Sequence, residues 1–538
     1  MANTFKKVID RLEWVQVSPA PYSHAAAAAM CSDLRSDVSR NPFAYQLLSA
    51  TVLNRFNIVT KAWNFVQSPA LAGTFGAGAA VAFVPSFGLV GVIAAGATVD
   101  KVVISTAFPT AVGVNMLANR GGSGDYGFKL RIIDPVAGKT EERFIVGNSG
   151  GTTPTLRVNL PFTFVPSTGA RYEIVAGRVF MLSSGVLAAN AWRSLEVASN
   201  TLSTGLSIVN LPATVSVDSS ILVLDEQFTP YDCNPGEGMV KGEFLYDNGT
   251  VSDRHALAAT AAGASSLTGQ ATLGDVAVLA NEYRNFQIRI VQDLTNPTAV
   301  GQRRIIASHT AGPSAVYTLG TAWAVTPSAS AKFVIELPNL MLVRSSGTTS
   351  VYTYNYMDAT INNGTNSIAT NSWSITYFGV APAANAAGGM WAASFGIEPD
   401  PDRNARHSFC YFFRGGAATL DVLDIAGAIA GTWTGAIVYD GSVALTTGTS
   451  GCQSPFDNEG RMFYMNIYNI GAANQMFRFD VQNRVLSPYV PTDYPQSGTG
   501  TVGNRMAAYC ALDGTDTYAV VLMVSHLDKV AQELIPLV

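Results

Sequence analysis

Residues 131–185 read RIIDPVAGKTEERFIVGNSGGTTPTLRVNLPFTFVPSTGARYEIVAGRVFMLSSG, and residues 289–347 read RIVQDLTNPTAVGQRRIIASHTAGPSAVYTLGTAWAVTPSASAKFVIELPNLMLVRSSG. Laid over each other they match at Arg131 and Arg289, Arg143 and Arg304, Ile145 and Ile306, Pro166 and Pro327, Tyr172 and Phe333, and Ile174 and Ile335, and both end in Ser-Ser-Gly. Self-similarity at a fixed offset has to be settled first, because a missed repeat misassigns the fold. Inside each copy apolar and polar residues alternate, as in Thr155, Leu156, Arg157, Val158, between clusters of Gly, Pro, Asn and Ser. That is the pattern of short, half-buried strands joined by turns. Upstream, AAGA recurs at Ala94 and Ala261 and VxxLAN at Val114 and Val276. The chain is expected to carry two small β modules of one design, at residues 94–178 and 261–339.

The remaining text repeats on a coarser scale. RFNIVTKAWNFVQSP from Arg55, WRSLEVASNTLST from Trp192, LDVLDIAGAIAGTWTG from Leu420 and FRFDVQNRVLSPYVP from Phe477 each read strand, turn, strand. A glycine followed by an aromatic-rich strand recurs at Gly78, Gly238, Gly389, Gly460 and Gly503, and these are expected to open successive sheets. Without the duplicated modules the intervals are about 40 to 70 residues, the size of a four-stranded propeller unit. The expected fold is all-β: a β-propeller of five to seven blades with two duplicated small β-domain insertions. Residues 41–93, 179–260 and 340–538 would form the propeller, with the strand near Val520 closing the ring against strands near Tyr45. Residues 1–40 would be an N-terminal arm, with a short helix favoured by the run Ala25–Ala29. The modules interrupt consecutive blades after the first strand, AAVAFVPS in one and MVKGEFLYD in the next, so both should project from one end of the ring.

Composition narrows the function classes. Charged residues make up 13% of the chain, with a net charge of -5 and a pI near 5.6. A general nucleic-acid binder needs a basic face, so any DNA contact should be weak. Cys31, Cys233, Cys410, Cys452 and Cys510 occur singly, which suggests neither a disulfide framework nor a zinc site. The N-terminus lacks the apolar core of a signal peptide. Residues 62–99 hold no charged residue and are apolar; Pro69, Pro85 and the glycines favour buried strands over a membrane span.

No catalytic signature emerges. No GxSxG elbow, HExxH or P-loop emerges, the one GxSxG text, GNSGG from Gly147, reading as a glycine-rich turn between strands, and His24, His255, His309, His407 and His526 lack ligand spacing. The acidic segment EPDPDRNARH, with Glu398, Asp400 and Asp402 alternating, could offer oxygens to Ca²⁺ or opposed carboxylates to a glycosidase, but reads first as a solvated loop. Trp63, Trp192, Trp323 and Trp433 could stack on sugars, yet stand at strand positions that favour core packing. No catalytic, cofactor-binding or metal-binding residue is assigned, and no enzyme activity is expected.

The module text, GKTEERFIVGNSGGTTPTLRVNLPFTFVPSTGARYEI and GQRRIIASHTAGPSAVYTLGTAWAVTPSASAKFVI, resembles β modules of tailed-bacteriophage virion proteins. Together with a propeller carrying insertions, the chain resembles the tail nozzle, or tail tubular B, proteins of short-tailed phages. The resemblance implies a virion tail protein made in the host cytoplasm and assembled as a homo-oligomeric ring, a hexamer. Its neighbours would be adaptor or portal-proximal proteins and tail fibres, with DNA passing through unbound during ejection. The alternatives are another virion part, such as a head fibre, decoration or neck protein, and a propeller that binds or cleaves glycans.

Overall fold

The computed structural model describes residues 12–21, 29–35, 41–49, 52–65, 79–118, 127–183, 191–203, 206, 208, 211, 219–228, 256–270, 272–273, 276–277, 279–399, 406–438, 444–445, 450–453, 464–469, 475–480, 485–489, 505–513, 516–524 and 531–536. These residues form β-strands and turns with no α-helix among them; 3₁₀ turns occur at Glu226–Phe228 and Pro297–Ala299. None forms a helix long and apolar enough to cross a membrane.

Six sheets have four antiparallel strands each. Sheet 1 contains Ala29–Ser32, Phe43–Ser49, Val52–Asn57 and Ala62–Phe65; sheet 2 contains Ala80–Val84, Arg178–Leu182, Trp192–Glu196 and Thr201–Leu202. Sheet 3 is built from Ser220–Leu224, Leu340–Arg344, Val351–Asn355 and Ser372–Ser374, and sheet 4 from Ala386–Pro399, Arg406–Gly415, Thr419–Asp424 and Thr432–Val438. Sheet 5 takes Ser450–Gln453, Tyr464–Asn469, Gln475–Asp480 and Val485–Tyr489. Sheet 6 takes Arg505–Asp513, Asp516–Val524, Ala531–Pro536 and, as its outer strand, Leu12–Val17. The four related strand-turn-strand texts are the last two strands of sheets 1, 2, 4 and 5. Two of their turns carry a polar residue in the left-handed region, Lys61 and Asn200, which lets the chain reverse tightly.

The first strands of neighbouring sheets touch in a closed cycle, 1 to 2, 2 to 3, 3 to 4, 4 to 5, 5 to 6 and 6 back to 1. Apolar side chains fill the spaces between the sheet faces. Tyr45 and Leu47 of sheet 1 share a core with Val179 and Met181 of sheet 2, and Leu342 of sheet 3 shares one with Phe412 of sheet 4 and Phe479 of sheet 5. Between sheets 2 and 3, Phe180, Trp192, Tyr354 and Trp373 stack edge and face, with Trp192 buried at the centre. Such pairs add about 0.5–1.5 kcal/mol each beyond area burial.

Closure does not run through the region around Tyr45. The strand Phe43–Ser49 has both edges occupied, by Ala29–Ser32 and by Val52–Asn57, so it offers no edge to another strand. Its sheet instead lies face to face on the last one, with Ala44 and Phe56 packed against Ala507, Val520 and Leu522. The partner of the C-terminal strand is Leu12–Val17, in register Leu12 to Pro536 through Val17 to Ala531. Part of the expected arm is therefore strand: Leu12–Val17 in sheet 6 and Ala29–Ser32 in sheet 1, whereas Ala25–Ala28 lie outside the described residues. Gly78 and Gly503 precede first strands in the sequence, and Gly389 lies within the first strand of sheet 4. The text after Gly460 leads into the second strand of sheet 5, and that after Gly238 lies outside the described residues, the first strand of sheet 3 being Ser220–Leu224.

Two further units interrupt sheets 2 and 3 between first and second strands. Barrel 1 comprises Leu89–Val92, Lys101–Val103, Lys129–Asp134, Lys139–Asn148, Thr155–Val158 and Arg171–Val175; barrel 2 comprises Leu257–Gly263, Ser266–Gln270, Gln287–Gln292, Arg303–His309, Ser314–Leu319 and Lys332–Glu336. Around both rings the strands follow one order, first, second, fifth, fourth, third, sixth and back to first. Barrel 2 closes by ladders on all sides; barrel 1 closes between its first two strands through the bridge from Ile93 to Ile104. The turns repeat too: Asp134 accepts from Val136, Ala137 and Ser167 amides, as Asp293 does from Thr295, Asn296 and Ser328. At the opposite end Asn115 exchanges hydrogen bonds with Asn148 as Asn281 does with His309, which sets Asn281 against Asn115 and moves the VxxLAN match by four residues.

Because sheet 6 joins both chain ends, removing either side leaves a bare edge on its neighbour. Deletion of residues 1–18, like deletion of everything after Asp516, is expected to lower the melting temperature of the whole molecule by on the order of 10 °C. A truncated chain that melts with the parent in scanning calorimetry would show that the last sheet closes nothing.

Candidate functional site

The two barrels, their stalks and sheet 3 converge, and clefts between units are the usual place for binding groups. Arg131 lies mid-strand in barrel 1, directly opposite Glu142 on one flanking strand and Glu173 on the other. Cross-strand neighbours on one face of a sheet are close enough to pair, and both do. Arg131 Nε is 2.6 Å from Glu142 Oε1, and its Nη1 is 3.0 Å from Glu173 Oε2. A third carboxylate comes from the stalk of barrel 2, where the 3₁₀ turn after the first strand of sheet 3 sets Glu226 Oε1 2.6 Å from Arg131 Nη1. The other Glu226 oxygen lies 3.1 Å from Arg303 Nη2 and 3.0 Å from Asn339 Nδ2 at the return from barrel 2. Lys129 reaches Glu142 at 3.6 Å and Gln227 Oε1 at 3.2 Å, and Arg289 pairs with Glu336.

Four cations, Lys129, Arg131, Arg289 and Arg303, thus meet four carboxylates, Glu142, Glu173, Glu226 and Glu336, and all but Arg303 are fully buried. The duplicated arginines Arg131 and Arg289 stand at matching positions in the two barrels but have different partners. Opposite Arg289 are Arg303 and Val334, so barrel 2 alone would set like charges side by side; Glu226, borrowed from the stalk, resolves this. Burial pushes the Glu142, Glu173 and Glu226 carboxyls up, but Arg131 and its fellow cations overcome it and hold all three below the ordinary range, Glu226 well below.

Beside this cluster Asp225 accepts from Ser86 Oγ at 2.6 Å, Tyr356 Oη at 2.8 Å and the Gln227 amide at 2.8 Å. Ser86 belongs to the stalk of barrel 1, Asp225 to that of barrel 2 and Tyr356 to sheet 3, so one carboxylate ties three segments. Its burial, reinforced by the neighbouring Glu226, pushes its pKa up to about 6 against the pull of those hydrogen bonds. Two glycines in the left-handed region let the barrels approach. A Cβ on Gly138 would fall 2.4 Å from the Asp293 carbonyl oxygen, and one on Gly301 2.6 Å from Ile133 Cγ2. The barrels are further joined by the pairing of Lys139 with Gln292.

A cleft of about 280 Å³ opens above the cluster, lined by Ile133, Arg171, Arg303, Thr321, Met357 and Asp358 among others, with the Arg171 and Asp358 side chains paired across barrel 1 and sheet 3. The polar groups here neutralise one another. No group of three or more His, Cys, Asp or Glu able to hold a metal occurs among the described residues. The arrangement fixes two barrels in one pose.

The residues weighed from sequence lie elsewhere. Glu398 is on a strand opposite His407, and Asp400 and Asp402 fall outside the described residues. His309 is buried and accepts the Tyr283 amide at 2.8 Å, a structural role; His24, His255 and His526 are outside the described residues. Trp192 and Trp323 are core, and Trp63 and Trp433 are partly buried with ring nitrogens bonded to the Ser18 and Phe378 carbonyl oxygens. Cys31, Cys410 and Cys452 are free thiols. The ionic joint was not anticipated. Its trace in the sequence is that Arg131 and Arg289 repeat, each set between two apolar residues.

No family model and no curated protein matches the chain. Among solved structures, it is similar to a structural genomics protein of unknown function from Bacteroides thetaiotaomicron, with 8% identity over 84% of this chain and 96% of that one and a TM-score of 0.20. It is also similar to an auxiliary nutrient binding protein from Bacteroides ovatus (11% identity, 84% of each chain, TM-score 0.19) and to one from Bacteroides thetaiotaomicron (10%, 85% of each, 0.19). Overlaps this slight do not define a common fold.

Two outcomes follow from the joint. Arg131→Met takes the shared cation from three buried carboxylates and is expected to cost about 3 kcal/mol, read as a lower urea midpoint and as faster proteolysis of the barrels. The pH dependence has two arms. Asp225 has a folded pKa above its unfolded value near 3.9, so its share of stability grows as pH falls from about 6 toward 4. The glutamates have folded pKa values below the unfolded one near 4.3, so theirs is present above that value and is lost on further acidification. The urea midpoint should therefore rise between pH 7 and 5 and fall below pH 4. Asp225→Asn should flatten the first arm; an unchanged slope would assign it to another group.

Proposed function

We propose that the six four-stranded sheets are the blades of a β-propeller, and that the protein is a virion structural subunit of the tail nozzle type found in short-tailed bacteriophages. In that role several copies, six on this reading, form a ring through which DNA passes during ejection, with adaptor proteins above and fibres outside. It has no turnover of its own.

The observation that carries the reading is the placement of the duplicated barrels. They leave consecutive sheets after the same strand, and buried ion pairs lock them side by side. A rigid double lobe on a closed body suits a part that must hold shape against its neighbours. Low overall charge supports extensive subunit contact, since interface cores are depleted in charged residues. The mild negative balance suits a conduit to which DNA must not adhere.

Native mass spectrometry of the purified chain with negative-stain views tests this: rings of about six copies with a central opening are expected, and their closed symmetry is the usual state of homo-oligomers. Removing barrel 2 should leave a folded chain that fails to enter virions. A chain that stays monomeric, or that cleaves polysaccharide at a rate abolished by Glu398→Gln, would overturn the structural reading.

A further inference from the structure

The two barrels share one fold, so each surface position of one has a counterpart in the other, and the comparison is uneven. Among the described residues barrel 1 exposes Val90, Val92, Val99, Val114, Met116, Val136, Val146, Leu160 and Val165, whereas barrel 2 exposes Leu279, Leu294 and Val316. The contrast is clearest at the end farthest from the stalks. There, matching hydrogen bonds pair Val99 with Ala264, Val136 with Thr295, Leu160 with Thr321 and Val165 with Thr326. All eight are exposed or nearly so, Val136 at 74% and Val165 at 57%, and at these four positions barrel 1 presents branched aliphatics where barrel 2 has Ala or Thr, its tip keeping Leu294.

We infer that the aliphatic tip of barrel 1 is the surface on which a second copy of this chain seats, and that barrel 2 was stripped of the same surface to fix the register. Three observations point to a second copy. Barrel 1 already docks on a barrel of its own kind, barrel 2, through Gly138, Lys139 and Ile133. The aliphatic tip continues that contact, because the Val136 turn hydrogen-bonds the Leu294 turn through the Asp293 amide and the Gly138 carbonyl oxygen. A ring also needs each chain to offer its surface once. Two equivalent barrels would let a neighbour settle in either of two registers, and a mis-set register does not close but grows as an open array. Threonine and alanine at the barrel 2 tip remove the second register, as specificity by exclusion requires.

This inference rests on the ring reading, and the experiment separates the two. The full-length chain is compared by native mass spectrometry, light scattering and negative stain with a variant carrying Val99→Ala, Val136→Thr, Leu160→Thr and Val165→Thr, residues that barrel 2 already tolerates in the same fold. The parent is expected to form closed rings. The variant should melt with the parent yet remain monomeric, its association weakened on the order of a hundredfold. The mirror variant, Ala264→Val, Thr295→Val, Thr321→Leu and Thr326→Val, should give particles of mixed size. Should the fourfold variant fail to fold, Val136→Lys and Val165→Lys, on exposed turns, replace it and should each weaken assembly. Rings from the variant indistinguishable from the parent's would overturn the inference and leave the ring reading standing. A parent that remains monomeric would overturn both.

Discussion

A guanidinium buried among three carboxylates cannot be satisfied within one barrel. Arg131 finds Glu142 and Glu173 on its own sheet, and the third acid, Glu226, belongs to the stalk of the other barrel. Taking these charges out of water costs several kcal/mol per ion, and their attraction returns that only when the geometry is complete. The cluster is therefore all or nothing: a barrel swung away from its partner would leave bare charge in an apolar setting. Side-by-side placement of the barrels, the tight turns at Gly138 and Gly301, and the stalk anchoring through Asp225 and Tyr356 all serve to keep that cluster whole.

How much of this could be read in the sequence depends on whether the information is local. Duplication is a property of text, and both barrels fold in one strand order. Strand-turn-strand repeats are also local, and the texts at Arg55, Trp192, Leu420 and Phe477 all form the last hairpin of a sheet. What failed was long-range. Leu12–Val17 looked like a loose arm because nothing near it supplies a partner; its partner lies at the other end of the chain. The VxxLAN match misled because the loops between matched strands differ in length, so turn geometry and not residue identity aligns Asn115 with Asn281. The ionic joint draws residues from six strands and a turn, and no window of sequence holds more than two or three of them.

The chain also shows how an all-β molecule of this length manages its strand edges. Exposed edges invite pairing with other chains. Both barrels remove theirs by closing, and the last sheet consumes both chain ends to complete itself. The sheets meet through their first strands, which hides the inner edges and leaves only the fourth strands outward. Stability here comes from shape closure and aromatic packing such as that around Trp192, and it does not require a charged surface.

That last point bears on what the surface is for. Charged residues are scarce in this sequence, 13% of the total, and many are spent inside: the joint, the Arg344–Asp421–Arg414 bridge, the Asp33–Arg35 pair, and Asp134 and Asp293 in their turns. A free monomer normally keeps such residues outside, where they hold it in solution. Placing them in buried joints sets the orientation of parts and leaves fewer charges for an exterior on which aliphatics such as Val136 and Val165 stand open. Such an exterior has little to repel a copy of itself. On the ring reading proposed above, the uneven division of aliphatics between two otherwise equal barrels gives association one direction.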